Sequence, residues 1–189
     1  TSIIKVTLPA TLQTLGFGNF GSAGKIVLGS VTPPVLATIS SGGGFSSYAT
    51  LIVPEASLEA YKSADVWSKY AGQMLSQSDV TDYDVTTTAQ DNTSGLHDVI
   101  GEDNLNKVVS LKVKGTINGY DIMIMRNKMP NLHWLDLSEA NIVANPYEYY
   151  TGCHTEDNVV GSHAFYDQDK LVSIKLPNSV TSIGAYAVA

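Results

Sequence analysis

Six times the chain sets apolar residues in the spacing apolar-x-x-apolar-x-apolar: Ile3/Val6/Leu8, Ala23/Ile26/Leu28, Tyr48/Leu51/Val53, Val108/Leu111/Val113, Leu132/Leu135/Leu137 and Leu171/Ile174/Leu176. The last two apolar positions of each triplet lie two apart, so both point to one side of a strand. Between the central residues the steps are 20, 25, 60, 24 and 39. Recurrence at 20 to 25 residues constrains the fold strongly. Short strands at that interval stack side by side into a parallel sheet, and no single unit can bury its apolar side without a neighbour.

A second word recurs between the strands. Val160-Gly161-Ser162-His163-Ala164-Phe165 returns 23 residues later as Ile183-Gly184-Ala185-Tyr186-Ala187-Val188. In "PNSVTSIGAYA", Pro177 ends the ladder by withholding a donor, Val180 and Ile183 are expected to turn inward, and Gly184 to permit a tight corner. The same unit opens the chain in "KVTLPATLQTLGFGNF". There Leu8-Pro9, Leu12, Leu15-Gly16 and Phe20 match Leu176-Pro177, Val180, Ile183-Gly184 and Val188 at a constant offset of 168.

"LVSIKLPNSVTSIGAYAV" resembles the repeat of the BspA-like leucine-rich repeat family of bacterial surface proteins, roughly L-x-S-I-x-L-P-x-S-V-x-x-I-G-x-x-A-F, with Val188 in place of the usual Phe. The Asn ladder of other leucine-rich repeats is absent: Thr11, Ala140 and Ser179 stand at its positions. The fold expected is an α/β solenoid of BspA-like leucine-rich repeat coils, with a parallel sheet, short helices and capping units. The resemblance also implies adhesion to host proteins or matrix.

The long steps need their own explanation. Within the step of 60, "VPEASLEAYKSADVWSKYAG" places Leu58, Tyr61 and Ala64 on one helical stripe, with Trp67 and Tyr70 continuing it. Pro54, Glu55 and Glu59 suit a helix start, and Lys62 and Lys69 suit later turns. Such a helix after a last strand is expected to cover an open sheet edge, and V-P-x-x-S-x-x-A-Y-K before a Trp resembles the way arrays of this family end. "SQSDVTD" then reads as a short linker. Tyr83, Val85 and Thr87 alternate as an edge strand, and Ser94 is set to cap a short helix carrying Leu96, Val99 and Ile100. The next stretch resembles a first pair of coils, with Ile117, Ile122 and Met125 on the return path. The expected domains are therefore residues 1–76, the end of one array with a capping helix; a linker at 77–81; and 82–189, the cap and first coils of a second array.

The step of 39 contains an insertion, "NPYEYYTGCHTEDN". Insertions in solenoids emerge on one face, often the binding face. Tyr combines contact area with a polar tip, so Tyr147, Tyr149, Tyr150 and His154 are the ligand-binding candidates.

Other chemistry finds little support. Cys153-His154 with His163 nearby lacks the third and fourth ligands of a zinc site and any Cys-x-x-Cys or His-x-x-x-His spacing. His163 matches Tyr186 and is expected to face solvent; His97 and His133 flank apolar positions and read as structural or solvated. Asp79, Asp82 and Asp84 lack the Gly turn and closing Glu of a calcium loop. "SSGGGFSSYA" lacks the Lys-Ser/Thr of a phosphate loop and is expected to be a flexible turn. No catalytic residue, metal or cofactor is assigned.

A formal charge of −7, with only eleven Lys and Arg among 189 residues, argues against nucleic acid. No apolar run approaches the ~20 residues of a membrane span. The single cysteine excludes an internal disulfide framework. Starting at Thr1 without a leader, the chain reads as a mature or trimmed segment. The expected function is non-catalytic: a cell-surface or extracellular protein, attached at a bacterial outer membrane, that binds a protein or extracellular-matrix ligand. A structural spacer in a surface lipoprotein is the alternative, and a small hydrolase using His154 and Glu156 a remote one. Open array ends also lead to an expectation of head-to-tail self-association.

Overall fold

The structure, a computed structural model, describes residues 5–16, 24–37, 44–47 and 49–188. Ile3, Phe20, Ala23, Tyr48 and most of the glycine run fall outside them. The chain folds into two compact units, Thr1–Val80 and Thr81–Ala189.

In the first unit, β1 (Lys5–Leu8), β2 (Thr14–Gly16), β3 (Lys25–Leu28), β4 (Val35–Ala37) and β5 (Thr50–Val53) precede α1 (Leu58–Ser63) and β6 (Met74–Ser76). The main sheet runs β1-β3-β5-β6, all pairs parallel. Val6 pairs with Ile26, Ile26 with Leu51, and Leu51 with Met74. A second parallel ladder, β2-β4, pairs Leu15 with Leu36. Alternation turns Ile26, Leu28, Leu51 and Val53 inward, where they pack with Phe45, Tyr61 and Trp67.

The residues expected to form one capping helix do not. A 3₁₀ turn at Glu55–Ser57 leads into the six-residue α1, Ala64 is extended, Val66 has φ 65°, and a second 3₁₀ stretch covers Trp67–Gln73. A continuous helix would set Trp67 about 120° around the axis from Tyr61, yet both rings are buried together, edge to face at 5.1 Å. The break swings Trp67 inward. Its Nε1 donates to Pro34 O (2.7 Å), and the Tyr61 hydroxyl donates to Ser30 O (2.8 Å). The segment crosses over from β5 to β6, a strand that carries no apolar triplet and pairs parallel with β5.

In the second unit, β7 (Thr81–Thr87), α2 (Gly95–Ile100), α3 (Glu102–Leu105), β8 (Val108–Ile117), α4 (Gly119–Lys128) and β9 (Trp134–Ile142) come first. They are followed by β10 (Asn145–Tyr150), β11 (Cys153–Thr155), β12 (Val159–Val160), β13 (Ser173–Lys175) and β14 (Ser182–Ile183). The parallel sheet has the order β13-β9-β8-β7, with Tyr83, Leu111, Leu135 and Ile174 in one register row. Ser76 Oγ donates to Asp79 in the turn before β7 (2.7 Å), and Thr81 already belongs to that strand.

Two helix starts are tied together. Asn118 and Asp121 form a capping box on α4. The buried Asp121 Oδ1 also accepts from Ser94 Oγ (2.6 Å) and Leu96 N (3.0 Å), while Ser94 Oγ caps α2 by accepting from His97 N. Burial pushes the Asp121 carboxyl above its ordinary value, against these hydrogen bonds.

Three placements differ from expectation. Val99 lies on the solvent side of α2 while Leu96 and Ile100 are buried. Ile117 ends β8 instead of lying on a return path. Ile183 is 58% exposed, although its register partner Val160 is 0% exposed. Val160 belongs to the buried core of the second unit, whereas Ile183 stands outside it. Gly184, moreover, has no positive φ. It is a glycine because a Cβ would strike the Ser162 backbone nitrogen of the preceding coil.

Candidate functional site

The insertion folds as an antiparallel hairpin, β10 with β11. Its alternation sorts the tyrosines. Tyr149 points into the core, only 4% exposed, and its hydroxyl donates to Ser162 O (3.0 Å). Loss of hydration raises its pKa to about 12, with the neighbouring Cys153 adding to the shift. Tyr149 therefore offers no contact surface, and the expectation for it is corrected. Tyr150, its neighbour in sequence, turns to the other side. The Arg126 guanidinium lies 4.9 Å from its ring centroid, while Arg126 Nη1 donates to Tyr149 O (3.0 Å).

From Tyr150 a column of rings crosses successive coils. His163 stacks on Tyr150 at 4.6 Å and 14°, and Tyr186 stacks on His163 at 5.4 Å and 25°. Tyr166 stands edge-on to His163 (5.2 Å, 76°) and near both tyrosines. His163 and Tyr186 occupy the same place in the repeated word, and both have left-handed backbones, φ 59° and 55°. That conformation is costly for a side-chain-bearing residue, and its recurrence aligns the two rings. His163 is thus half-buried between rings instead of facing solvent. Tyr186 is the last ring of the column among the described residues and is 65% exposed.

The remaining candidates lie apart. Tyr147 stacks on Tyr120 of α4 at 3.8 Å and 20°. His154 is exposed on β11, and no ring contact joins it to the column among the described residues. Sequence reasoning missed Arg126, Tyr120, His163, Tyr166 and Tyr186. The 23-residue repeat held the signal for two of them, because it equates His163 with Tyr186.

The outer face of the second sheet is charged but neutralises itself. Asp84, Lys112, Asp136 and Lys175 form one register row of alternating sign. Lys112 pairs with Glu139, Lys114 with Asp84 (2.9 Å) and Lys175 with Asp136 (2.7 Å). The Lys175 ammonium, assisted by Ser138, lowers the Asp136 pKa to about 2. In the first unit, the turn at 10–13 and the segment 30–35 line a cleft of about 450 Å³ without a charged residue. Among the described residues, no group of three His, Cys, Asp or Glu could hold a metal ion, and no helix is long and apolar enough to cross a membrane.

No protein-family model matches this chain, and no curated protein matches its sequence. The chemistry the column offers is recognition: stacking surface, ring edges, hydroxyl tips and one guanidinium.

Proposed function

We propose that this chain is a non-catalytic recognition module, built of leucine-rich repeat coils of the BspA-like type, that binds a protein ligand at a cell surface or in the extracellular matrix. The observation that carries the reading is the aromatic column Tyr150–His163–Tyr186, flanked by Tyr166 and Arg126. Tyr and Arg, with Trp, are enriched among the residues that dominate binding energy at protein interfaces, Tyr because it presents a large rigid area with a polar tip and Arg because its planar guanidinium stacks and donates several hydrogen bonds. The fold proposal is supported by strands that pair parallel at the apolar triplets, and by coil-to-coil spacing that repeats the same word. A bacterial surface location follows from the family resemblance and is part of the proposal.

The test is binding of the purified chain to a panel of matrix and cell-surface proteins by biolayer interferometry, followed by Tyr150→Ala and Tyr186→Ala. Truncating an aromatic anchor costs about 2 kcal/mol or more, roughly thirtyfold in affinity. Tyr147→Ala reports separately on the Tyr120 pair. A ligand bound equally well by Tyr150→Ala and Tyr186→Ala would refute the placement of the site, and a chain that binds no member of a broad panel would refute the recognition role.

A further inference from the structure

Arg126 is the sole arginine of the sequence, and it lies in the last turn of α4 with its side chain fixed at two points. Its Nη1 donates to Tyr149 O (3.0 Å), and the guanidinium lies over the Tyr150 ring, 4.9 Å from the centroid. The backbone is held as well, because Gln168 Nε2 donates to Arg126 O (2.7 Å). None of these groups carries a negative charge. Four lysines of the same unit are placed differently: Lys112, Lys114, Lys128 and Lys175 each pair with a carboxylate.

Among the described residues, no carboxylate forms an ion pair with Arg126. In a chain with eighteen Asp and Glu, that is not for want of acids. Glu148, on the hairpin itself, accepts from Gly152 N at the tip (3.1 Å). Asp167 and Asp169, on either side of Gln168, are exposed and leave Arg126 alone.

A guanidinium carries five N–H donors in a fixed plane and grips a carboxylate through two parallel bonds. One N–H of Arg126 goes to Tyr149 O, and the others meet no protein acceptor among the described residues. Carbonyl and ring have already set the plane, so a ligand meets a fork whose rotamer freedom is lost beforehand. We propose that Arg126, held by Tyr149 O and the Tyr150 ring, is the carboxylate-binding position of the aromatic column, taking an acidic side chain or the terminal carboxylate of the protein ligand. The assignment rests on the recognition reading above and adds the charge that the ligand must present. A neutral amide offers no charge and only one acceptor oxygen, and a lysine in place of Arg126 offers no fork.

Because the chain has one arginine, its Nε–H gives one side-chain signal in a proton–nitrogen correlation spectrum, and a titration of the full chain reads it directly. The probes, at neutral pH and matched ionic strength, are acetyl-glutamate amide, its neutral counterpart acetyl-glutamine amide, acetyl-alanine for a terminal carboxylate, and sodium sulfate. A carboxylate is expected to shift the Arg126 Nε–H and the Tyr149 and Tyr150 amides to saturation in the millimolar range, with acetyl-glutamine amide at least about tenfold weaker. The tighter of acetyl-glutamate amide and acetyl-alanine names the source. Arg126→Lys keeps the charge and is expected to weaken carboxylate binding about tenfold, read from the Tyr149 and Tyr150 amides. Tyr150→Leu keeps the Arg126 signal and is expected to weaken binding as well; it serves if far-UV CD shows that Arg126→Lys disturbs the unit. No shift with either carboxylate, equal binding of the glutamate and glutamine amides, sulfate bound more tightly than both carboxylates, or undiminished binding by the folded variant would each overturn the assignment. All of these leave the recognition reading standing, since that reading fails only on the panel of matrix and cell-surface proteins.

Discussion

Three glycines of the second unit separate two costs that are usually confounded, and Gly115→Ala is the decisive substitution. Gly115 sits in β8, paired with Thr87 on one side and Ala140 on the other, with φ +90°. An alanine there takes a backbone conformation that L side chains rarely adopt, and its Cβ strikes the Thr87 carbonyl. Gly152, at the tip of the insertion hairpin, has φ +70° but open space around the would-be Cβ. Gly184 has the reverse: no positive φ, but a collision with the Ser162 backbone. Strain alone costs about 1–2 kcal/mol, and overpacking against backbone about 1–3 kcal/mol. Gly152→Ala is therefore expected to cost about 1 kcal/mol, Gly184→Ala about 2, and Gly115→Ala about 4, a large part of the roughly 5–15 kcal/mol of a typical domain. Urea unfolding followed by far-UV CD and Trp fluorescence, fitted with a transition for each unit, reads these as midpoint shifts. With a slope of roughly 1–3 kcal/mol per molar urea, the Gly115→Ala midpoint falls by more than about 1 M. Only the transition of the unit containing Trp134 moves. Equal shifts for Gly115→Ala and Gly152→Ala would show that the close approach of β7 to β8 is not as described, and the reasoning from contact would fail.

Other consequences follow from single groups. The lowered pKa of Asp136 stabilises the second unit above the unfolded value of 3.8, and the contribution is lost as pH falls towards 2. With the carboxylate partly solvated it is worth only about 1 kcal/mol, so Asp136→Asn lowers the urea midpoint at pH 7, and its effect shrinks as pH falls from 3.8 through 2. The raised pKa of Tyr149 has the opposite sense: its contribution is whole below pH 10 and lost as pH rises towards 12. In an absorbance titration at alkaline pH, Tyr149→Phe removes a tyrosine that ionises only near pH 12, and it costs about 1 kcal/mol through the bond to Ser162. At Asp121, alanine leaves the Ser94 hydroxyl and the Leu96 and Asn118 backbone donors without their acceptor, at about 3 kcal/mol or more. Asparagine keeps a carbonyl for some of them, so Asp121→Asn unfolds at higher urea than Asp121→Ala. Trp67→Phe lowers only the transition of the first unit, by about 2 kcal/mol, because it empties volume and strands the Pro34 carbonyl.

Strand positions were readable in the sequence wherever two inward residues of a triplet met a triplet on the next strand. Val6, Ile26 and Leu51 share one row, and Leu111, Leu135 and Ile174 another. β6 was not readable, because its place in the sheet is set by the crossover before it and it brings one inward apolar residue, Met74, in place of a triplet. The helical stripe from Leu58 to Tyr70 failed for a different reason. Its periodicity is genuine over one turn, but two large rings whose polar atoms must reach the carbonyls of Ser30 and Pro34 outweigh the continuity of a marginal helix. Composition singled out the tyrosines of the insertion, yet it could not say that pairing in a hairpin would bury Tyr149 and turn Tyr150 to the opposite side.

The aromatic column shows why a repeat carries functional information that a single coil does not. A left-handed backbone at one His or Tyr is a local cost with no evident return. Set at the same place in consecutive coils, it brings His163 and Tyr186 into register, because strands β12 and β14 hold the coils one rib apart and Gly184 lets the backbones approach. The spacing between rings is thus fixed by the backbone ladder, and the glycine that permits the approach is as necessary to the column as the rings. Gly184→Ala should therefore loosen the Tyr186–His163 stack as well as destabilise the unit, without altering the Tyr120–Tyr147 pair. Aromatic ring-current shifts of the His163 and Tyr186 protons measure this directly. Unchanged shifts in a folded Gly184→Ala protein would mean that the rings hold themselves together and the coil spacing merely follows.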